Sequence, residues 1–479
     1  MEQPTPDAAV LARRDEILAG LRRILPPQAV VSDEESLRAY ECDALTAYRQ
    51  IPLAVALPGS AAEAAALMRY CAEEDVPVTP RGAGTSLTGG ALPGADCVMI
   101  GMARLNQVLK IDPQSRVARV QAGATNLSVS RAAAPEGLFY APDPSSQLAC
   151  SIGGNVAMNS GGAHCLKYGV TLNNLLGATL VTPEGEILEI GGEHMDAPGL
   201  DLLGAVCGSE GLLGLVTEAI LRLTPMPEGA RPVLIGFDSA AAAGACVAAI
   251  IEAGVVPVAL EFMDRPCIVA CEAFAKPNYP DCEALLIVEA EGSEAEIQEQ
   301  LARIEAVAAR FQPVALRVSA SEAESAAIWA GRKAAFGAMG AMGDYICLDG
   351  VTPLSRLAEI LTAIAAISER YGLRVSNVFH AGDGNLHPLI VFDANKPGDL
   401  EKAEACGAEI LKLCVEMDGC LTGEHGVGVE KRELMSAQFA PHELELQMAV
   451  KSAFDPEWRM NPGKVFPLAA VRAYREAAE

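Results

Sequence analysis

At 479 residues the chain is too long for one ordinary domain, and two or three are expected. Hydrophobic residues make up 51% and aromatics 5%, with glycine and alanine plentiful, which suits α/β or α+β packing with many tight turns. Lys and Arg number 36 against 62 Asp and Glu, a net charge of -26, so a nucleic-acid partner is excluded as a working idea and any anion site must carry its own local cations.

The first residues, MEQPTPDAAV, lack the basic and apolar regions of a signal peptide, and no run of about 18 uncharged apolar residues occurs, so a cytoplasmic location is expected. Residues 8–25 carry Val10, Leu11, Ile17, Leu18, Leu21, Ile24 and Leu25 at helical spacing and stop at Pro26-Pro27, which predicts an amphipathic helix. A strand at 52–58, an alanine-rich helix at 61–74 and a strand at 76–78 follow, the order of a βαβ unit.

Directly after that strand, PRGAGTSLTGGALPG (Pro80 to Gly94) holds Gly82, Gly84, Gly89, Gly90 and Gly94. Such a stretch is either a plain turn or a nest of backbone N–H groups for phosphate oxygens. It is no nicotinamide fingerprint, because Leu87 stands where GxGxxG needs glycine, and no GK[ST] follows for a Walker loop. A second region, Pro142 to Gly169, interleaves Gly153, Gly154, Gly161 and Gly162 with Ser145, Ser151, Asn155, Asn159 and Ser160. A third, Gly208 to Leu223, opens with spaced glycines and runs into an alternating strand. Three small-residue loops so close together imply a large ligand with a diphosphate.

TPMPEGARP, Thr224 to Pro232, reads as a linker, with a new domain beginning near Val233. Strands at 234–237, 258–263 and 285–290 alternate with helices at 240–253 and 294–309, which predicts an antiparallel sheet covered by helices on one face. The stretch from Tyr345 through a helix at 354–371 to residue 392 looks like a repeat of that plan. Between the halves, IWAGRKAAF (Ile328 to Phe336) places Arg332 and Lys333 side by side. Arg332 is either one half of a surface salt bridge or a fork for a substrate carboxylate, with Lys333 the weaker candidate.

HAGDGNLH, His380 to His387, has apolar residues on both sides and reads as a β-hairpin turning on Asp383-Gly384. That register sets His380 directly opposite His387, with Cβ atoms about 4.5 to 5.5 Å apart. The pair is either a clip for one divalent ion or two histidines beside an exposed turn. A turn centred elsewhere would separate them and remove the clip. The 14 cysteines include no CxxC pair; the spacings of Cys267 with Cys271 and of Cys406 with Cys414 suit helix faces, so free thiols are expected and no iron–sulfur cluster.

Together the two glycine-rich loops, LGLVTEAILRL, HAGDGNLH, TGEHGVG (Thr422 to Gly428) and NPGKVFP (Asn461 to Pro467) resemble the FAD-linked 2-hydroxyacid dehydrogenases of the vanillyl-alcohol oxidase superfamily, and within it the FAD-binding subunits of bacterial glycolate oxidases. The resemblance runs from about residue 30 to 467. It implies an α+β fold: an N-terminal helix and FAD domain of two α+β subdomains over 1–226, a ferredoxin-like substrate domain over 227–420, and a C-terminal segment, 421–479, returning to the FAD domain. It implies FAD contacts from Arg81, Gly82, Gly84, Thr85 and Ser86, from Pro142, Ser145, Ser151, Gly153, Gly154, Asn155, Asn159 and Gly162, from Glu210, Gly211 and Val216 near the adenosine, and from Asn461. The first loop holds no histidine, so the FAD should be noncovalent.

Arg332 matches the family's carboxylate-binding arginine. Glu424 in GEHG supplies the third ligand beside His380 and His387, a set suited to Zn²⁺ first and to Mn²⁺ or Fe²⁺ next. His425, pointing to the other side of an extended chain, is the candidate general base. The implied reaction is oxidation of a small 2-hydroxyacid to the 2-oxoacid by hydride transfer to FAD. Cys347 occupies the place of a lysine found in the family's 2-hydroxyglutarate dehydrogenases, which favours glycolate or D-lactate over a diacid. The implied partners are an iron–sulfur subunit and a second flavin-type subunit feeding membrane quinone, with this chain peripheral at most. A D-lactate dehydrogenase with a cytochrome or quinone acceptor, a D-2-hydroxyglutarate dehydrogenase, and a non-catalytic flavin-binding accessory subunit are the alternatives.

Overall fold

A computed structural model describes residues 3–194 and 199–478. The chain forms two compact units: Met1–Gly161, Val170–Met226 and His425–Glu479 make the first, and Gly162–Gly169 and Pro227–Glu424 the second. An eight-residue piece of the second glycine-rich region thus belongs to the second unit, and the chain re-enters the first at His425.

In the first unit, the N-terminal helix is two pieces, Ala8–Ala12 and Arg14–Ile24, broken at Arg13. Ile17, Leu18 and Leu21 are buried against the helix Ala61–Glu73, whose entry is capped by the Ser60 hydroxyl accepting from Glu63 N. Each such buried leucine contributes about 1.5–3 kcal/mol. The expected βαβ unit forms, with one addition: strands Ala54–Ala56 and Val78–Arg81 are both parallel to Val98–Gly101, which lies between them. A second, antiparallel sheet runs in the order Val108–Asp112, Val117–Gln121, Leu215–Arg222, Leu175–Val181, Ile187–Gly191.

The second unit is a ferredoxin-like sheet that occurs twice. Its first half orders the strands Ala315–Val318, Gly229–Phe237, Ala284–Gly292 and Ala259–Asp264, that is, fourth, first, third, second. The first of these begins at Gly229, so the last residues of the proline-rich segment read as a linker are strand; Pro232 is tolerated because the ladder with Ala315–Val318 begins at Val233, so the N–H that proline lacks falls at its end. Helices Ala240–Glu252 and Glu294–Ala308 start at Ser239 and Ser293, each serine hydroxyl accepting from the third helical N–H. The second half pairs Asp344–Cys347 with Pro388–Phe392 and that strand with Arg374–His380. The halves join where Ala259–Asp264 meets Arg374–His380, setting Glu261 opposite His380 and Phe262 opposite Phe379. Phe262 and Phe379 stack with ring centroids 4.7 Å apart on one face, which leaves Glu261 and His380 on the other.

Candidate active site

The histidine hairpin differs from its expected form. His380 pairs with Asn385 and Asn377 with Pro388, the turn is a short 3-10 segment Ala381–Asp383, and Gly384 closes it at φ 71°. The register is therefore displaced by two residues, and His380 does not face His387. Continued along the strand, it sets His387 opposite Val378, two residues from His380. Because side chains alternate with a period of two, a two-residue displacement keeps both histidines on one face, as diagonal neighbours within reach of each other. Their rings lie edge to face with centroids 5.2 Å apart. The expectation that a shifted turn would separate them was wrong, since only an odd shift does so.

Glu424 completes the group. Its Oε1 lies 3.4 Å from His380 Nε2 and 3.2 Å from His387 Nε2, and one ligand atom from each of the three residues falls within 4.8 Å of the others. The far side of each imidazole is already committed: His387 Nδ1 donates to the Leu348 carbonyl at 3.1 Å, and His380 Nδ1 lies 2.8 Å from Glu261 Oε1. The two Nε2 atoms so placed converge with Glu424 Oε1 in a largely buried place, where a proton or a metal cation among them would balance the carboxylate. A divalent ion with nitrogen and oxygen ligands fits this donor set.

The charges respond to one another. Burial alone raises the Glu424 carboxyl, but the two histidines overcome that and hold it well below its ordinary value. Burial alone lowers His380, and the Glu261 carboxylate reverses it, lifting the imidazole well above its usual range. The 422–424 turn has its own anchor: the fully buried Asp349 accepts from the Thr422 hydroxyl, from Gly423 N at 3.0 Å and from Glu424 N at 3.2 Å.

Arg332 lies in the last turn of the helix Glu322–Lys333 and is buried rather than on the surface, with Nε at 2.8 Å and Nη2 at 2.6 Å from Glu261 Oε2. The adjacent Lys333 is exposed. Sequence reasoning missed Glu261 and Asp349. The signal for Glu261 was present, as a carboxylate flanked on both sides by apolar residues inside the buried strand ALEFMD.

In the first unit, the Pro80–Gly94 loop has an unusual backbone. Among the described residues, the N–H groups of Gly82, Ala83, Gly84, Thr85 and Ser86 donate to no other protein group. Five successive open amides fit phosphate oxygens. Arg81 is turned away to the Cys42 carbonyl at 2.6 Å. A Cβ added at Gly82 would lie 2.3 Å from Ser151 Oγ, so glycine lets this loop approach the second glycine-rich region. There Ser151 caps the helix Ile152–Met158 through Gly154 N, Gly153 packs on Ala122, Pro142 accepts from Asn126, and Asn155 accepts from Asn126. Asn159 ends that helix and accepts from Leu172 N, while Ser145 is exposed. Gly162 falls in the other unit.

Glu210, expected near an adenosine, is buried with its carboxylate accepting from Val427 N at 2.6 Å and Gly428 N at 2.8 Å, directly after the GEHG motif. Gly211 adopts φ 71° against Pro80, and Val216 pairs with Leu180 in the strand Leu215–Arg222. The Asn461 amide donates to the carbonyls of Gly90 at 3.0 Å and Glu210 at 2.8 Å, so it ties the first and third loops together. Its buried Oδ1 has no partner among the described residues, which fits a polar group bound beside it. His425 is half-buried, and its carbonyl accepts from Thr88 Oγ1 at 3.4 Å. The cysteines are free thiols, with Cys267, Cys271, Cys406 and Cys414 buried on their helices, and no helix among the described residues is long and apolar enough to cross a membrane.

Residues 226–465 match the C-terminal domain of FAD linked oxidases, and residues 52–191 match an FAD binding domain. The chain is 48% identical over 456 residues to the glycolate oxidase subunit GlcD of Escherichia coli (strain K12), covering 95% of this chain and 91% of that one. It is 31% identical over 464 residues to a D-lactate dehydrogenase of Anaerostipes hadrus, covering 94% and 97%. Among solved structures, p-cresol methylhydroxylase with substrate bound superposes with a TM-score of 0.82 at 15% identity over 98% of this chain and 99% of that one, a likeness of fold.

Proposed function

Because the chain belongs to the FAD-linked oxidase family and is an FAD-dependent hydroxyacid oxidoreductase, we propose that its substrate is a small 2-hydroxyacid, glycolate before D-lactate, oxidised to the 2-oxoacid at a site with a divalent ion, Zn²⁺ first, held by His380, His387 and Glu424. The observation that carries the metal reading is the convergence of three acceptor atoms whose imidazoles are fixed from behind. Bound FAD supplies a two-electron acceptor, and a bound divalent ion supplies Lewis acidity toward the substrate hydroxyl.

The chain's residues do the rest. The Gly82–Ser86 amides receive the cofactor's diphosphate, with no covalent link to protein. Arg332 receives the substrate carboxylate, its guanidinium already fixed by Glu261. His425 takes the hydroxyl proton, work that imidazole suits near neutral pH. Substrate choice follows from Cys347, a buried neutral side chain where a diacid would need a cation, and from the 48% identity to a glycolate oxidase subunit. That relative's description as a subunit supports partner subunits for this chain; we take these to be an iron–sulfur protein and a second flavin-type subunit as the electron exit, with quinone beyond and the chain peripheral in the cytoplasm.

The second reading is a D-lactate dehydrogenase, favoured by the 31% relative. Anaerobic mixing of the flavoprotein with glycolate, D-lactate and D-2-hydroxyglutarate, following loss of flavin absorbance, separates them. Bleaching by glycolate at the highest rate is expected. No bleaching by any of the three favours an accessory flavin-binding subunit. A His425→Ala variant that still reduces its flavin at the full rate removes His425 as the base.

A further inference from the structure

The seam between the two ferredoxin-like half-sheets places a single buried carboxylate between two groups of different duty. Glu261 is wholly buried and lies directly across the ladder from His380. Its oxygens are divided: Oε1 meets His380 Nδ1 at 2.8 Å, and Oε2 meets Arg332 Nε at 2.8 Å and Nη2 at 2.6 Å. Both partners are cationic or proton-donating at the contact, and an ionised carboxylate is the one side chain that accepts on both oxygens at once.

We propose that Glu261 is a positioning residue that couples the anion-binding arginine to the metal site, holding His380 with Nε2 free for the ion and Arg332 with one guanidinium edge spent and the rest presented to substrate. The proposal rests on the metal reading given above. Strand Ala259–Asp264 and strand Arg374–His380 are adjacent in the sheet seam, so the ladder sets the two backbones with Glu261 directly opposite His380 and keeps the carboxylate within reach of the imidazole. Arg332 is brought in by the helix Glu322–Lys333, which is fixed independently: Trp329, one turn earlier, donates from Nε1 to Glu289 Oε1 at 2.8 Å. Glu289 is also buried and shares the face of Glu261, since Glu261 opposes Ile287 two residues away. It holds the helix but touches neither His380 nor Arg332, which makes it a control on the same surface.

Glutamine at position 261 keeps shape but replaces one acceptor by an NH₂ donor, so His380 or Arg332 must face a donor. The test uses full-length flavoprotein, with zinc affinity measured by competition with a chelating dye and flavin content read from absorbance. Glu261→Gln is expected to weaken zinc binding roughly 10- to 100-fold with flavin content unchanged. With zinc added to saturation, kcat should return toward wild type while KM for glycolate stays raised by roughly tenfold, because Arg332 has lost its anchor. Glu289→Gln, which can still accept from Trp329, should leave zinc affinity at the wild-type value.

Wild-type zinc affinity in Glu261→Gln overturns the proposal and leaves the metal reading intact. Failure of the wild-type chain to bind zinc, Mn²⁺ or Fe²⁺ overturns both. If Glu261→Gln does not fold because Arg332 is left unpaired, Glu261→Gln with Arg332→Met removes both buried charges together. That pair should fold and bind zinc weakly, and tight zinc binding by it overturns the proposal.

Discussion

Asp349→Asn tests whether the GEHG turn is held from behind. The carboxylate receives three donors: the Thr422 hydroxyl, Gly423 N at 3.0 Å and Glu424 N at 3.2 Å. A hydrogen bond to a charged group contributes about 1.5–3 kcal/mol and a neutral one about 0.5–1.5, so each donor kept on an amide oxygen loses about 1 kcal/mol, and one of the three faces NH₂ instead. The total is on the order of 3 kcal/mol, which at 1.4 kcal/mol per factor of ten is about 100-fold in the fraction of molecules with Glu424 in place. Zinc affinity should fall by up to that factor, flavin content should hold, and chemical denaturation should show a similar loss of stability. A variant that loses the stability but binds zinc as tightly as wild type would refute the reasoning, because it would show that the turn is positioned by something other than Asp349.

Lys451 is buried with Asp455 at 2.8 Å and also donates to the carbonyls of Leu212 and Met460, so Lys451→Met, which leaves Asp455 buried without its cation, should cost about 3–5 kcal/mol in denaturation of the apoprotein. Gly82→Ala places a Cβ 2.3 Å from Ser151 Oγ, and rotating that hydroxyl away costs its helix cap, about 1 kcal/mol; the flavin-to-protein ratio should drop, and adding Ser151→Ala should relieve the clash without restoring the cap. Burial pushes Lys464 down from 10.5 to about 8, so the folded chain releases this proton before the unfolded chain does. The cost of burying the charge is therefore full below about pH 8 and relieved as pH rises toward 10.5, and Lys464→Met should stabilise by up to about 3 kcal/mol at neutral pH and by little near pH 10 in thermal melts. Cys347→Lys should move the preference toward D-2-hydroxyglutarate, read as the ratio of kcat/KM values for the diacid and glycolate.

The sequence by itself determined most of what is repetitive and local. Periodicity located the helices and strands of both ferredoxin-like halves, and the motifs named the family and singled out the glycine-rich loops and the trio His380, His387 and Glu424. Two things were beyond it. Register across a turn depends on which backbone groups the neighbouring strands satisfy, so the hairpin turned on 381–384 and not on Asp383-Gly384, and only the period of two preserved the shared face of the histidines. Long-range pairing was the other. Glu261 lies 71 residues from Arg332 and 119 from His380, and Glu210 lies 217 from Val427; no local pattern reports such distances along the chain. These buried carboxylates acquire their partners only when strands from separate halves of a sheet, or segments from opposite ends of the chain, are brought side by side. A buried charge without a partner is too costly to persist, so tertiary packing decided what each of them holds in place.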